Sequence, residues 1–226
     1  MTTSARFITL EGGEGAGKST QAKRLATSLE ARGISCLVTR EPGGSPGAED
    51  IRRLLVRGTQ DKWDAQTETL LMFAARADHV ARTIKPALEN GTWVICDRFI
   101  DSTYAYQGVG RGVPTSYIAE LEKLVLHGLK PDLTLVLDLP IEIGLSRANA
   151  RSQDETRFEQ FDTDFHARLR QAFLDLARSE PSRCMTVDAD RSKDDVAAEI
   201  WRTDFSLVAS RVRDCRSRSA WPWMMV

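Results

Sequence analysis

Gly12, four residues, then Gly17, Lys18 and Ser19 form the feature that most limits what this chain can fold into. The spacing is that of a loop that wraps polyphosphate, and such a loop works only between a strand and a helix. Glycines let the backbone approach the phosphates and take positive φ. Consecutive N–H groups and the N-terminus of the following helix supply fixed positive dipoles. Lys18 adds a full charge for the outer phosphates, and the Ser19 hydroxyl suits Mg²⁺. The apolar run 7–10 predicts the strand and residues 20–30 predict the helix. Gly12, Gly13, Glu14, Gly15, Ala16, Gly17, Lys18, Ser19 and Thr20 are the expected phosphate-binding residues.

Along the rest of the chain, short apolar runs alternate with longer amphipathic ones, the pattern of a parallel α/β sheet sandwiched by helices. Strands are expected at 7–11, 35–39, 93–97, 133–138 and 183–187, which makes the sheet five-stranded. Helices are expected at 18–32, 47–57, 66–89, 114–127, 141–150, 157–179 and 193–213. Pro86 should kink the third helix or divide it. The 226 residues read as one domain to about residue 210, followed by a basic and aromatic tail at 211–226. A net charge of −1 argues against nucleic acid as a partner. The four cysteines lack metal-ligand spacing and read as reduced thiols. No apolar stretch approaches membrane-spanning length, and residues 1–6 lack a secretory signature, so the expected location is cytoplasmic.

In open parallel sheets, ligands bind beyond the carboxyl ends of the strands. The second strand ends in Thr39-Arg40-Glu41-Pro42-Gly43-Gly44, and the third in Asp97-Arg98-Phe99 before Asp101–Gly108. Asp97 stands where a phosphate-transferring site places a carboxylate near Mg²⁺. Arg98 can pair bidentately with a phosphate. Further cations are Arg147 and Arg151, four apart on one helical face, and Arg157. The polar segment between them suits a mobile lid over about 147–158. Taken alone, Met72 and Phe73 read as core residues. His79, His127 and His166 share no ligand spacing, and none is given a catalytic role.

Thr39–Gly44, Met72-Phe-Ala-Ala-Arg76, Asp97-Arg-Phe99 and Ala105-Tyr-Gln-Gly108, in that order, resemble the thymidylate kinases over residues 6–205. The absence of arginine from the phosphate loop resembles the bacterial subtype, whose lid supplies the cation. The resemblance implies the P-loop NTPase fold, transfer of phosphate from ATP to dTMP with Mg²⁺, and a homodimer. By position, the loop residues and Arg147 would meet ATP, and Ser19 and Asp97 would meet the metal. Lys18, Arg98, Arg151, Arg157 and Glu14 would be catalytic, with Glu14 near the sugar 3′-OH or a metal-bound water. Arg98 and Arg52 would hold the dTMP phosphate, while Arg40 and Pro42 shape its pocket. Arg76 would meet a thymine carbonyl, Phe73 would stack on the ring, Thr103 and Gln107 would meet its edge, and Tyr106 would close on C2′.

Two other readings fit the phosphate loop. A kinase for another nucleoside monophosphate, or for a deoxynucleoside, would share most of these residues. A deoxynucleoside would need a carboxylate base at its 5′-OH, whereas Arg52 and Arg98 favour an acceptor already carrying phosphate. A regulatory ATPase would hydrolyse slowly without any acceptor.

Overall fold

β1 (Phe7–Glu11) is the middle strand of a five-stranded parallel sheet in the computed structural model, which describes residues 5–150 and 157–202. It is flanked by β3 (Trp93–Asp97) and β4 (Leu133–Asp138), with β2 (Cys36–Arg40) and β5 (Cys184–Asp188) at the edges. The register sets Ile8 opposite both Ile95 and Leu133. All five residues of β1 are buried because helices cover both faces, which is why its sequence is apolar without alternation.

On one face Ile8 and Leu10 meet α1 (Lys18–Glu30) and α9 (Lys193–Arg202) through Leu25, Leu29, Val196 and Ile200. On the other, Phe7, Val94 and Cys96 pack with Phe73 of α3 (Ala65–His79) and Ile118 of α6 (Thr115–Leu126). A third cluster joins Val136 to Phe165, Leu169 and Phe173 of α8 (Thr163–Ser179). The strand carboxyl ends, β1 and β3 above all, converge where α1 and α2 (Pro46–Val56) begin.

Most predicted boundaries hold within a residue or two, and three regions differ. The single helix expected at 66–89 is α3, a π-helical turn at Val80–Ile84, and α4 (Lys85–Glu89). Pro86 lies at the start of α4, where its missing N–H needs no partner. The segment after β3, for which the sequence predicts no element, forms α5 (Ile100–Thr103) and a π-helical stretch, Tyr104–Gly110. Its residues 105–108 are all buried, so no amphipathic period marks it. α8 starts at Thr163 rather than 157, because the Asp162 carboxylate caps it by accepting the Phe165 N–H at 2.7 Å. α9 closes the described part at Arg202, so the tail at 211–226 lies outside the described residues. So does the centre of the expected lid, residues 151–156. α7 (Ile141–Asn149) leads toward that segment.

Candidate active site

Gly12 and Gly15 take φ of +130° and +68°, and a Cβ on either would collide with backbone, the Leu137 carbonyl and the Gly144 carbonyl respectively. The loop is thus pressed onto β4 and α7 as well as open to a ligand. Gly17, at φ +91°, turns the chain into α1. Lys18 is buried, and its ammonium folds back to the carbonyls of Gly13 (2.7 Å) and Gly12 (3.2 Å). Burial and the Arg98 guanidinium outweigh Glu14 and Asp97 and bring the Lys18 ammonium down to about 8. A polyphosphate beside it favours the charged form, so the bound state holds more protons than the free state above pH 8. Affinity for ATP should therefore fall as pH rises through 8, and binding at pH 8.5 should take up protons. Calorimetry in two buffers of different ionisation enthalpy reads this directly; zero uptake would contradict it.

The Ser19 hydroxyl donates to the Asp97 carboxylate across the start of α1. Among the described residues no cluster of three or more His, Cys, Asp or Glu is placed for a metal. Ser19 and Asp97 nevertheless match a hard cation that takes its other oxygens from phosphate and water.

Beside the loop opens a second cleft, enclosing about 700 Å³ together with the solvent at its mouth. Its wall includes Glu14, Glu41, Pro42, Arg52, Met72, Arg76, Arg98, Thr103, Tyr106, Gln107 and Glu159, an enclosure of the size a mononucleotide needs.

 Arg98, itself at φ +70°, donates to the Gly12 carbonyl (3.0 Å), Ser102 Oγ (3.2 Å) and Glu14 Oε1 (2.9 Å). The Tyr106 hydroxyl donates to the same Glu14 oxygen at 2.7 Å. Burial pushes the Glu14 carboxyl up, but Arg98 and Lys18 outweigh it and hold it at about 2. Glu11, at the end of β1, accepts the Phe99 N–H (2.7 Å) and pairs with the Ser102 hydroxyl (2.5 Å). Burial and Asp101 raise its carboxyl to about 8. Glu11 thus ties the strand before the phosphate loop to the segment carrying Arg98.

Arg76 is 3% exposed and rises from α3 into the cleft. Its Nε donates to Glu41 Oε2 (2.7 Å), and its Nη2 donates to the Phe99 carbonyl (3.2 Å) and Thr103 Oγ1 (3.0 Å). Its Nη1 is buried with no hydrogen-bond partner among the described residues. A buried donor left unpaired costs free energy, and a ligand acceptor in the cleft would recover it.

Three of the expected roles are corrected here. Phe73 is not a wall of the cleft: it is buried in the core, with the Arg76 guanidinium 5.1 Å from its ring, and Met72 is the residue exposed to the cleft. Successive helical positions point about 100° apart, so only one of the pair can face the ligand. Arg40 ends β2 outside the cleft wall and pairs with Glu49 at 3.1 Å. Arg157 is fully buried, 2.5 Å from Glu68, and donates to the carbonyls of Leu55, Thr59 and Gln60. A fully buried guanidinium held by four acceptors anchors α2 and the loop after it and does not face a transferring phosphate. Arg147 lies in the last turn of α7, outside the cleft wall. Arg151 lies outside the described residues.

Glu11, Glu41, Glu68 and Ser102 have no assigned role in the sequence reading, and His79 has none in catalysis. Glu68 is fully buried and accepts from Gln107 (2.9 Å) and Arg111 (2.7 Å) besides Arg157. An acidic residue on an otherwise apolar helical face was the available signal, since a buried carboxylate needs cationic partners.

The family described as thymidylate kinase matches residues 10–200 of the chain. The chain is 58% identical to a thymidylate kinase of Caulobacter vibrioides over 198 residues, 88% of this chain and 95% of that one. It is 52% identical to a thymidylate kinase of Dinoroseobacter shibae over 200 residues, 88% and 96% of the two chains. Its fold is similar to the crystal structure of a thymidylate kinase from Ehrlichia chaffeensis, with a TM-score of 0.72 and 35% identity. That match covers 88% of this chain and 98% of the other.

Proposed function

This chain belongs to the thymidylate kinase family, and from that premise we infer that it transfers the γ-phosphoryl group of ATP to dTMP, giving ADP and dTDP. The observation that carries the acceptor assignment is the buried, unpaired Nη1 of Arg76, a residue that lines the cleft beside the phosphate loop. It is the donor a thymine carbonyl would satisfy. Met72 offers the ring a soft apolar surface, and Thr103 acts by fixing Arg76. Gln107 lines the same wall, tied to Glu68. Tyr106 and Glu14 form one hydrogen-bonded unit facing the sugar.

Arg98 and Arg52 receive the dTMP phosphate, with Pro42 bounding the cleft and accepting from Arg52 at 2.7 Å. The acceptor oxygen is already ionised near neutrality, so no general base is required. Lys18 and the loop N–H groups orient the ATP phosphates and meet the charge that develops as the bond to the leaving oxygen breaks. Ser19 and Asp97 would hold Mg²⁺, which when bound screens the phosphate charges. Arg147 and Arg151 are the cations we assign to the lid at about 147–158, and one domain extends to about residue 210.

A homodimer is part of this reading. Leu54 on α2, Leu70 on α3 and Leu124 on α6 are exposed, and α3 packs against both other helices. Such leucines favour burial against a second copy; sedimentation equilibrium tests it. The cytoplasmic location is likewise proposed, in keeping with free Cys36, Cys96 and Cys184.

The experiment is ADP production from Mg-ATP with dTMP, dUMP, dCMP, dGMP, UMP and thymidine as separate acceptors. Strong turnover with dTMP, weaker with dUMP and negligible with UMP or thymidine is expected. Acceptor-independent hydrolysis, or a preference for UMP or thymidine, would overturn the assignment.

A further inference from the structure

The side chain that aims Arg76 is itself held from behind by a buried histidine. His79 closes α3, is fully buried, and lies one turn beyond Arg76. Its Nδ1 is 3.0 Å from Glu41 Oε1, and its Nε2 is 2.7 Å from Thr39 Oγ1. Glu41 gives its other oxygen to Arg76 Nε at 2.7 Å. Both partners of the imidazole therefore come from the β2 end, and both partners of the carboxylate come from α3. The Glu41 carboxylate oxygen accepts, so Nδ1 carries a proton, and Nε2 shares a hydrogen bond with the Thr39 hydroxyl.

The surroundings leave this arrangement little freedom. Gly44, at φ +85°, passes directly over the ring, and a Cβ there would collide with His79 and Thr39. The Arg76 guanidinium lies 5.1 Å from the centre of the Phe73 ring and 5.4 Å from that of Phe99, so two aromatic side chains crowd it. What fixes its orientation is the Nε–Glu41 contact on one edge and the Nη2 contacts with Phe99 and Thr103 on the other. Rotation of Glu41 would move Nη1 away from the cleft, and His79 is the group that stops Glu41 rotating. The helix changes to a π-helical turn at Val80, immediately after His79, as local helices do where a side chain is set for a purpose.

We infer that His79, through Glu41, is a positioning residue for acceptor recognition, setting the direction in which Arg76 Nη1 meets the base. This deepens the assignment of Arg76 to the thymine carbonyl and rests on it. His79 is not part of the cleft wall or of the phosphate loop and acts only through Glu41, so its effect should fall on dTMP and spare ATP. Misplacing one donor by about 1 Å is enough to cost up to ~10²-fold.

The test uses the full-length protein with His79→Leu, His79→Asn and Arg76→Ala, measuring KM for dTMP and ATP separately. His79→Leu should raise the KM for dTMP about tenfold or more and leave that for ATP within about twofold. His79→Asn keeps an N–H at the Nδ1 position and should recover most of the loss, which cavity repair alone would not do. If His79→Leu fails to fold, Thr39→Val removes only the hydroxyl behind the ring and should raise the KM for dTMP about threefold. A large effect of Arg76→Ala with no effect of His79→Leu or Thr39→Val would overturn the positioning role alone. Equal losses for dTMP and ATP would also overturn it. An unchanged dTMP KM in Arg76→Ala would overturn the base-recognition reading, and this inference with it.

Discussion

Lys18→Ala should lower kcat by about 10³-fold or more under saturating ATP, about 4 kcal/mol of lost transition-state stabilisation. The ammonium lies across the phosphate loop, bonded to the carbonyls of Gly12 and Gly13, with Arg98, Glu14 and Asp97 close enough to shift its titration. In a site where burial weakens solvent screening, its charge on the transferring group has no substitute among the described loop residues, which are glycine, alanine, glutamate and serine. Truncation also relieves a buried charge, so the folded protein should survive it and thermal stability should hold. Single-turnover phosphate transfer from labelled ATP measures the chemical step apart from product release. Near-normal turnover in Lys18→Ala would remove the phosphate-loop assignment.

Arg98→Ala should lower kcat/KM for dTMP by about 10³-fold, again about 4 kcal/mol, while the KM for ATP changes far less. Three of its contacts, with Gly12, Ser102 and Glu14, join the phosphate loop to the acceptor cleft. Its loss leaves Glu14 facing the incoming phosphate without its nearest counter-charge. The backbone cost of φ +70° is similar for Arg and Ala, so the change reads the side chain rather than relieved strain. Arg98→Lys keeps a charge but not the planar fork, and should recover part of the loss. Steady-state kinetics with dTMP varied decide it, and a fall smaller than tenfold would contradict the phosphate role.

Sequence alone delivers the phosphate loop because its function is carried by backbone. Glycine spacing, Lys18 and Ser19 are local, and the strand and helix around them follow from periodicity. The three inner strands are legible because runs buried on both faces stay largely apolar, whereas the edge strands β2 and β5 are shorter apolar runs that end in polar residues. The Asp97-Arg98 pair could be placed from its position at a strand end, where such sheets bind ligands.

Arg157 and Phe73 show where that reasoning stops. A lone arginine in a polar stretch looks like a solvent-facing cation, and nothing nearby in sequence announces Glu68, 89 positions earlier, as its partner. Phe73 and Met72 are adjacent, so the choice between core and cleft turns on how α3 is rotated about its axis. The same holds for His79, whose partners Thr39 and Glu41 lie on another strand end about 40 positions away. The sequence by itself determined the phosphate chemistry, the sheet and the set of residues gathered at its edge. Only the tertiary structure decided which of their charged groups are spent on one another and which keep a donor for the ligand, because a buried charge is satisfied by whatever the fold brings within about 3 Å of it.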